Sequence, residues 1–193
     1  MTWNQHVRDS KGSVLRQLTI RVNGLKKLTN KADLRTKLML ANGIIMSKLS
    51  YGIAMWGNCQ GYLKKALQIQ QLTAARAVCG YSSYYWSTSK LLKKCGWLSV
   101  NQLYWQQVFI TTYKIVLSGK PTNIHQKISG RHGHNTRATV NINMGAVGNL
   151  VKHSFIYAAT SYNNLPVEIR AQKNIKSFKR LVTKWVSENI PVT

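Results

Sequence analysis

The carboxylates of this 193-residue chain are Asp9, Asp33, Glu168 and Glu188, dispersed along its length. Two-metal phosphoryl transfer needs carboxylates clustered tightly enough to hold two ions about 4 Å apart. Four scattered acids offer no such cluster, so no catalytic residue is assigned. Walker-loop, HExxH, GxSxG and CxxC patterns are absent from the sequence. Cys59, Cys79 and Cys95, with His132 or His134, are the one set that could ligate zinc. Structural zinc sites usually contain a ligand pair about two to four residues apart. These cysteines form no such pair, so neither a metal nor a cofactor is expected. Nucleophilic catalysis by Cys and His needs a third, orienting group, and none is recognisable. The chain is expected to bind rather than to catalyse, with its three widely spaced cysteines as free thiols of a reducing compartment.

The chemistry that is present is cationic. Lys and Arg number 28 against 4 Asp and Glu, a net charge of +24. So few acids cannot neutralise that many cations internally, which points to a polyanionic partner unless missing acids lie elsewhere in a longer chain. An anionic membrane is a poorer fit. The longest apolar stretch, Gly43 to Trp56, is interrupted by Lys48 and too short to span. Met1 leads into polar TWNQHVRD rather than a signal peptide. An intracellular location, nuclear or cytoplasmic, is therefore expected.

The elements that must position these cations read as helices. From about Ser10 to Leu28, apolar Leu15, Leu18, Val22 and Leu25 form one stripe, while Arg8, Lys11, Arg16, Arg21, Lys26 and Lys27 load the remaining surface. Lys31, Arg35 and Lys37 continue the positive region. Residues 34–57 are apolar most of the way round, the mark of a buried helix, with Asn30 as its cap and Asp33 in its first turn. Gly52 is expected either to admit a crossing element or to end that helix; Gly57 is a second candidate stop. Further helices are expected at about 62–79, 90–95, 99–117, 150–162 and 175–186. Ser99 and Gln102 form a capping-box pattern, and Asn174 is placed to cap the last helix. The helix after Ser99 is expected to lie buried beside the central one. Between Tyr81 and Ser89, YSSYYWSTS could stack unpaired bases or wedge a loop onto the core. Residues 129–149 read as a long loop with a basic tip, containing at most a short strand from Thr139 to Met144.

The expected fold is thus all-α, a bundle of about six to eight helices with a long basic loop. The division is drawn between residues 1–58 and 59–193. A solvated face would mix both signs of charge; here acids are nearly absent. The candidate phosphate contacts are Arg8, Lys11, Arg16, Lys26, Lys27, Lys31 and Arg35, then Arg131 and Arg137 in the loop, then Lys176, Arg180 and Lys184 on the final helix.

Several segments carry a family resemblance: TWNQHV (2–7), LSYGIAMWG (49–57), QQLTAARAVCG (70–80), LLKKCGWLSVNQL (91–103), YNNLPVEIR (162–170) and FKRLVTKWV (178–186). Their order and spacing resemble the C-terminal region of non-LTR (LINE-type) retrotransposon reverse transcriptases, RNA-directed DNA polymerases, and cover nearly the whole chain. Tyr162 stands where that family often has Trp, and no CCHC knuckle is present. The resemblance implies a thumb-like region at 1–58 followed by a C-terminal helical region, and a fragment of a longer polymerase. The family's aromatic-Ala-Asp-Asp catalytic turn lies upstream of the matching region and is absent here, so no catalytic residues carry over. The implied partners are RNA, DNA or RNA:DNA hybrid, and the upstream polymerase domain. The alternative is a domesticated or accessory RNA-binding protein with no role in reverse transcription.

Overall fold

The computed structural model describes residues 3, 5–28, 32–80, 85–128 and 154–192. Asn30, Lys31, Arg131, Arg137 and the whole 129–149 loop with its suggested strand lie outside these residues. Every regular element among the described residues is helical. The chain divides into two compact units, Met1–Tyr104 with Pro191–Thr193, and Trp105–Ile190.

In the first unit, a π-helical turn (Gln5–Asp9) leads to α1 (Val14–Leu28), which packs on α5 (Gly61–Cys79). Val14, Leu18, Val22 and Leu25 fall at helical spacing on the inner side of α1 and are buried, whereas Leu15, expected in this stripe, is half-buried and Val14 takes its place, because the stripe runs four, four and three residues from Val14. Between α1 and α5 the expected central helix is broken into α2 (Leu34–Ala41), a π turn (Asn42–Met46), α3 (Ser47–Ser50) and α4 (Ile53–Trp56). This division, together with the short helices Thr122–Ile128 and Val167–Arg170, is why eleven α-helical segments occur among the described residues where six to eight helices were expected. Asp33, expected inside the first turn, is itself the cap, accepting the Arg35 N–H at 3.2 Å.

Two long side chains hold the wide π turn. Arg21 donates from Nη1 to the Ile44 carbonyl at 2.9 Å, and Trp97 donates from Nε1 to Asn42 Oδ1 at 2.8 Å. Gly52 breaks the helix by adopting φ +64°, a left-handed conformation that glycine enters without a Cβ penalty. Among the described residues no element crosses close to it, since the nearest atoms to an added Cβ would be those of the Trp56 side chain at 3.7 Å. The Trp56 indole spans the break and donates to the Tyr51 carbonyl at 2.9 Å.

Next, α6 (Thr88–Cys95) starts at Ser87, whose hydroxyl accepts the Lys90 N–H, and ends at left-handed Gly96. The capping box is realised at the start of α7 (Val100–Ser118): Ser99 Oγ accepts from Gln102 N–H, and Gln102 Oε1 accepts from Ser99 N–H. A buried amide relay joins α5 to this start. Gln68 Oε1 accepts from Val100 N–H at 2.8 Å, Gln68 Nε2 donates to Gln71 Oε1 at 2.9 Å, and Gln71 Nε2 donates to the Leu98 carbonyl at 2.8 Å. Gln71 is fully buried. Gln71→Ala would strand the Leu98 carbonyl and the Gln68 amide, so a loss of about 2 kcal/mol is expected. Urea denaturation checks this, and a loss below about 0.5 kcal/mol would mean that water replaces the relay.

The second unit contains the rest of α7, then α8 (Thr122–Ile128), α9 (Phe155–Ala159), a 3₁₀ turn (Thr160–Asn164), α10 (Val167–Arg170) and α11 (Ile175–Asn189). Its core joins α7 to α11 through aromatic rings. Tyr113 stacks on Phe178 with centroids 3.9 Å apart, and Phe109 meets Trp185 edge-on at 5.9 Å. Asn174 caps α11 as expected, accepting the Lys176 N–H at 2.8 Å.

Candidate nucleic-acid interface

A phosphate-binding surface needs cations held outward by an element whose other side is tied into a core. On α1 the buried stripe fixes the opposite line as Arg16, Ile20, Asn23 and Lys27, four, three and four residues apart, and all four are exposed. Arg16 and Lys27 are about 16 Å apart along the axis at 1.5 Å per residue. Lys26 flanks this line and is also exposed. Arg21, read from sequence as part of the basic surface, lies at the edge of the buried stripe, is half-buried and is engaged with Ile44. Its role is structural.

Arg8 is exposed on the first π-helical turn, with its guanidinium 5.9 Å from the centroid of the Tyr62 ring. A cation over an aromatic face is positioned without being neutralised. Lys11 is exposed in the turn before α1. Arg35 is exposed in the first turn of α2, beside the capping carboxylate of Asp33. A hydrogen bond from the Thr36 side chain holds that carboxyl below the usual carboxylate range, with backbone N–H groups helping. The acid in this basic region therefore serves the cap.

In the second unit, Lys176, Arg180 and Lys184 recur every four residues on the exposed side of α11, opposite buried Phe178, Val182 and Val186. The three cations span about 12 Å. Lys179 is exposed on the same helix. Glu188 is exposed one turn beyond Lys184, and Glu168 is exposed on α10.

Three further cations are absent from the residues singled out in sequence. Lys90, Lys93 and Lys94 are all exposed on α6, whose opposite side buries Leu91, Leu92 and Cys95. Their signal was present in KLLKK, where two apolar residues are bracketed by lysines, but so short a helix shows little periodicity until its caps are known.

The cysteines are the other reactive side chains, and each is buried or half-buried. Cys79 and Cys95 end α5 and α6 with their Sγ atoms 3.6 Å apart, well beyond the roughly 2.05 Å of a disulfide. Burial pushes the Cys95 thiol up to about 12, and Cys79 adds to the effect. Burial likewise raises Cys59 and lowers Lys64 beside it, the neighbouring charge opposing each shift. Lys64 Nζ lies 5.4 Å from the centroid of the Tyr104 ring. Protonated thiols are weak nucleophiles at neutral pH. Among the described residues, no group of three or more His, Cys, Asp or Glu side chains could hold a metal ion. An open cavity of about 250 Å³ in the second unit is lined by Val116, Leu117, Tyr162, Arg170, Ala171, Gln172 and Lys173. It falls below the range of about 300–1,000 Å³ usual for small-molecule sites. No described helix is long and apolar enough to cross a membrane.

No protein-family model, curated protein or solved structure matches this chain.

Proposed function

We propose that the chain binds RNA, DNA or an RNA:DNA template–primer without sequence preference. On this reading it derives from the C-terminal region of a non-LTR reverse transcriptase and lacks polymerase chemistry of its own. The observation that carries the binding is the exposed basic lines on α1, α6 and α11, each backed by a buried apolar side, in a chain of net charge +24. Lysine and arginine side chains held outward neutralise phosphates and release condensed counterions, a gain that every sequence offers equally. Such contacts fix orientation on the nucleic acid and leave base edges unread.

The test is a salt titration of affinity for a B-form duplex and for an RNA:DNA hybrid. The log–log slope is expected to be steep, about −0.9 per phosphate contact on B-form DNA. The triple variant K176Q/R180Q/K184Q is expected to make that slope shallower by up to about 2.7, because three contacts are removed. A flat slope for the native chain would sink the binding proposal. Incorporation of nucleotides by the chain with Mg²⁺ would sink the non-catalytic part.

A further inference from the structure

Tyr85 is 94% exposed, the most exposed large apolar side chain among the described residues. Trp86 follows it and is half-buried, with Lys90 Nζ 4.9 Å from its ring centroid. Lys90, Lys93 and Lys94 share the outer arc of α6, and no acid is present anywhere on that helix. Lys90 and Lys94 stand four residues apart, a like-charge spacing that costs a helix a few tenths of a kcal/mol. Tyr85 lies five, eight and nine residues before Lys90, Lys93 and Lys94, all of them exposed, so one short stretch of chain offers a ring suited to a base and lysines suited to the phosphates of the same strand.

We propose that this patch is a platform for an unpaired nucleic-acid strand, with Tyr85 stacking a base and Lys90, Lys93 and Lys94 meeting its phosphates. Trp86 acts as a positioning residue: the lysine over its ring takes one face and is itself held in place by the aromatic quadrupole. Tyr85 is left as the stacking surface. Bases in a duplex are already stacked on their neighbours, so the ring selects single strands, and it does so for any base because each has a π-face. The platform rests on the proposed nucleic-acid binding and deepens it by naming an unpaired segment as the ligand at this place.

The test uses the full chain with an unstructured RNA of about twelve nucleotides, the DNA strand of the same sequence, and the corresponding hybrid duplex, lengths within the range of single-strand sites. Tyr85→Ala is expected to weaken both single strands about 5- to 100-fold and leave the duplex unchanged, whereas Tyr85→Phe, which keeps the ring, stays within about twofold. The double variant K93Q/K94Q is expected to make the single-strand salt slope shallower by about 1.4, at roughly 0.7 per contact. Helical circular dichroism checks that each surface variant is folded. An equal loss on duplex and single strands, no loss on either, or a loss confined to RNA would overturn the platform. If the native chain binds all three ligands with steep salt dependence while Tyr85→Ala changes nothing, only the platform falls. If native binding is insensitive to salt throughout, the proposed function falls with it.

Discussion

Replacing Gly57 by alanine is expected to destabilise the first unit by about 3 kcal/mol, the upper end of what overpacking a well-filled site costs. The backbone angle is not the obstacle, because Gly57 has φ −69°, open to any residue. The obstacle is space. A Cβ there would lie 2.5 Å from the Ile53 carbonyl oxygen, 2.5 Å from Tyr104 Cδ2 and 2.9 Å from Ile53 Cγ1. The first of these is backbone, and the Tyr104 ring is buried, so neither yields cheaply. Gly43→Ala is the matched control. It sits in the π turn with no atom of the described residues within 4 Å of an added Cβ, and a gain of up to about 1 kcal/mol is expected there from helix propensity alone. Denaturation of both variants checks the pair, and a loss at Gly57 no larger than the change at Gly43 would refute the close-packing account. The consequence reaches the basic surface. The Trp56 ring next to Gly57 lies 6.4 Å from that of His6, on the turn that carries Arg8.

Phe178→Ala is expected to cost about 3–5 kcal/mol, the usual penalty for emptying a buried aromatic site. The ring is fully buried, lies nearly parallel to Tyr113 with 10° between planes, and has the Tyr162 ring 6.2 Å away. Tyr113 is held in turn by its hydroxyl, which donates to the Gln172 carbonyl at 2.6 Å. Removing Phe178 would therefore leave a cavity that fixed neighbours cannot close. On the same helix, Lys176→Ala and Arg180→Ala alter only exposed side chains and are expected to change stability by no more than about 0.5 kcal/mol. Thermal unfolding and salt titration of these three variants separate the two sides of α11. Phe178 is expected to govern whether the unit folds, and on the proposed function Lys176 and Arg180 are expected to govern how affinity for nucleic acid depends on salt. A Phe178→Ala protein with native-like stability would show that the aromatic stack is not the centre of this unit.

Two of the caps and most of one stripe were legible without coordinates, while Asp33 as the cap of α2 and Val14 in place of Leu15 on α1 were not. Ser99 with Gln102, Asn174 before α11, and the apolar stripe of α1 follow from hydrogen bonds and periodicities that span only three or four residues. The same locality explains why Arg16, Lys27, Lys176, Arg180 and Lys184 could be placed on outer sides from spacing alone. Arg21 could not, because a position at the edge of the stripe turns outward or inward according to what lies opposite, and here it is a carbonyl 23 residues away.

The amino-acid sequence by itself determined that the chain is helical, strongly basic and poor in acids, since composition and short-range periodicity carry those properties directly. Tertiary structure alone decided that Gly52 breaks the central helix while Gly57 is the close approach, that two glutamines form a buried relay, and that Lys90 rests on Trp86. The physical reason is range. A cap or an amphipathic stripe is closed within one or two turns of its own chain, whereas the space left to a glycine and the partner offered to a buried amide are set by residues far away in sequence.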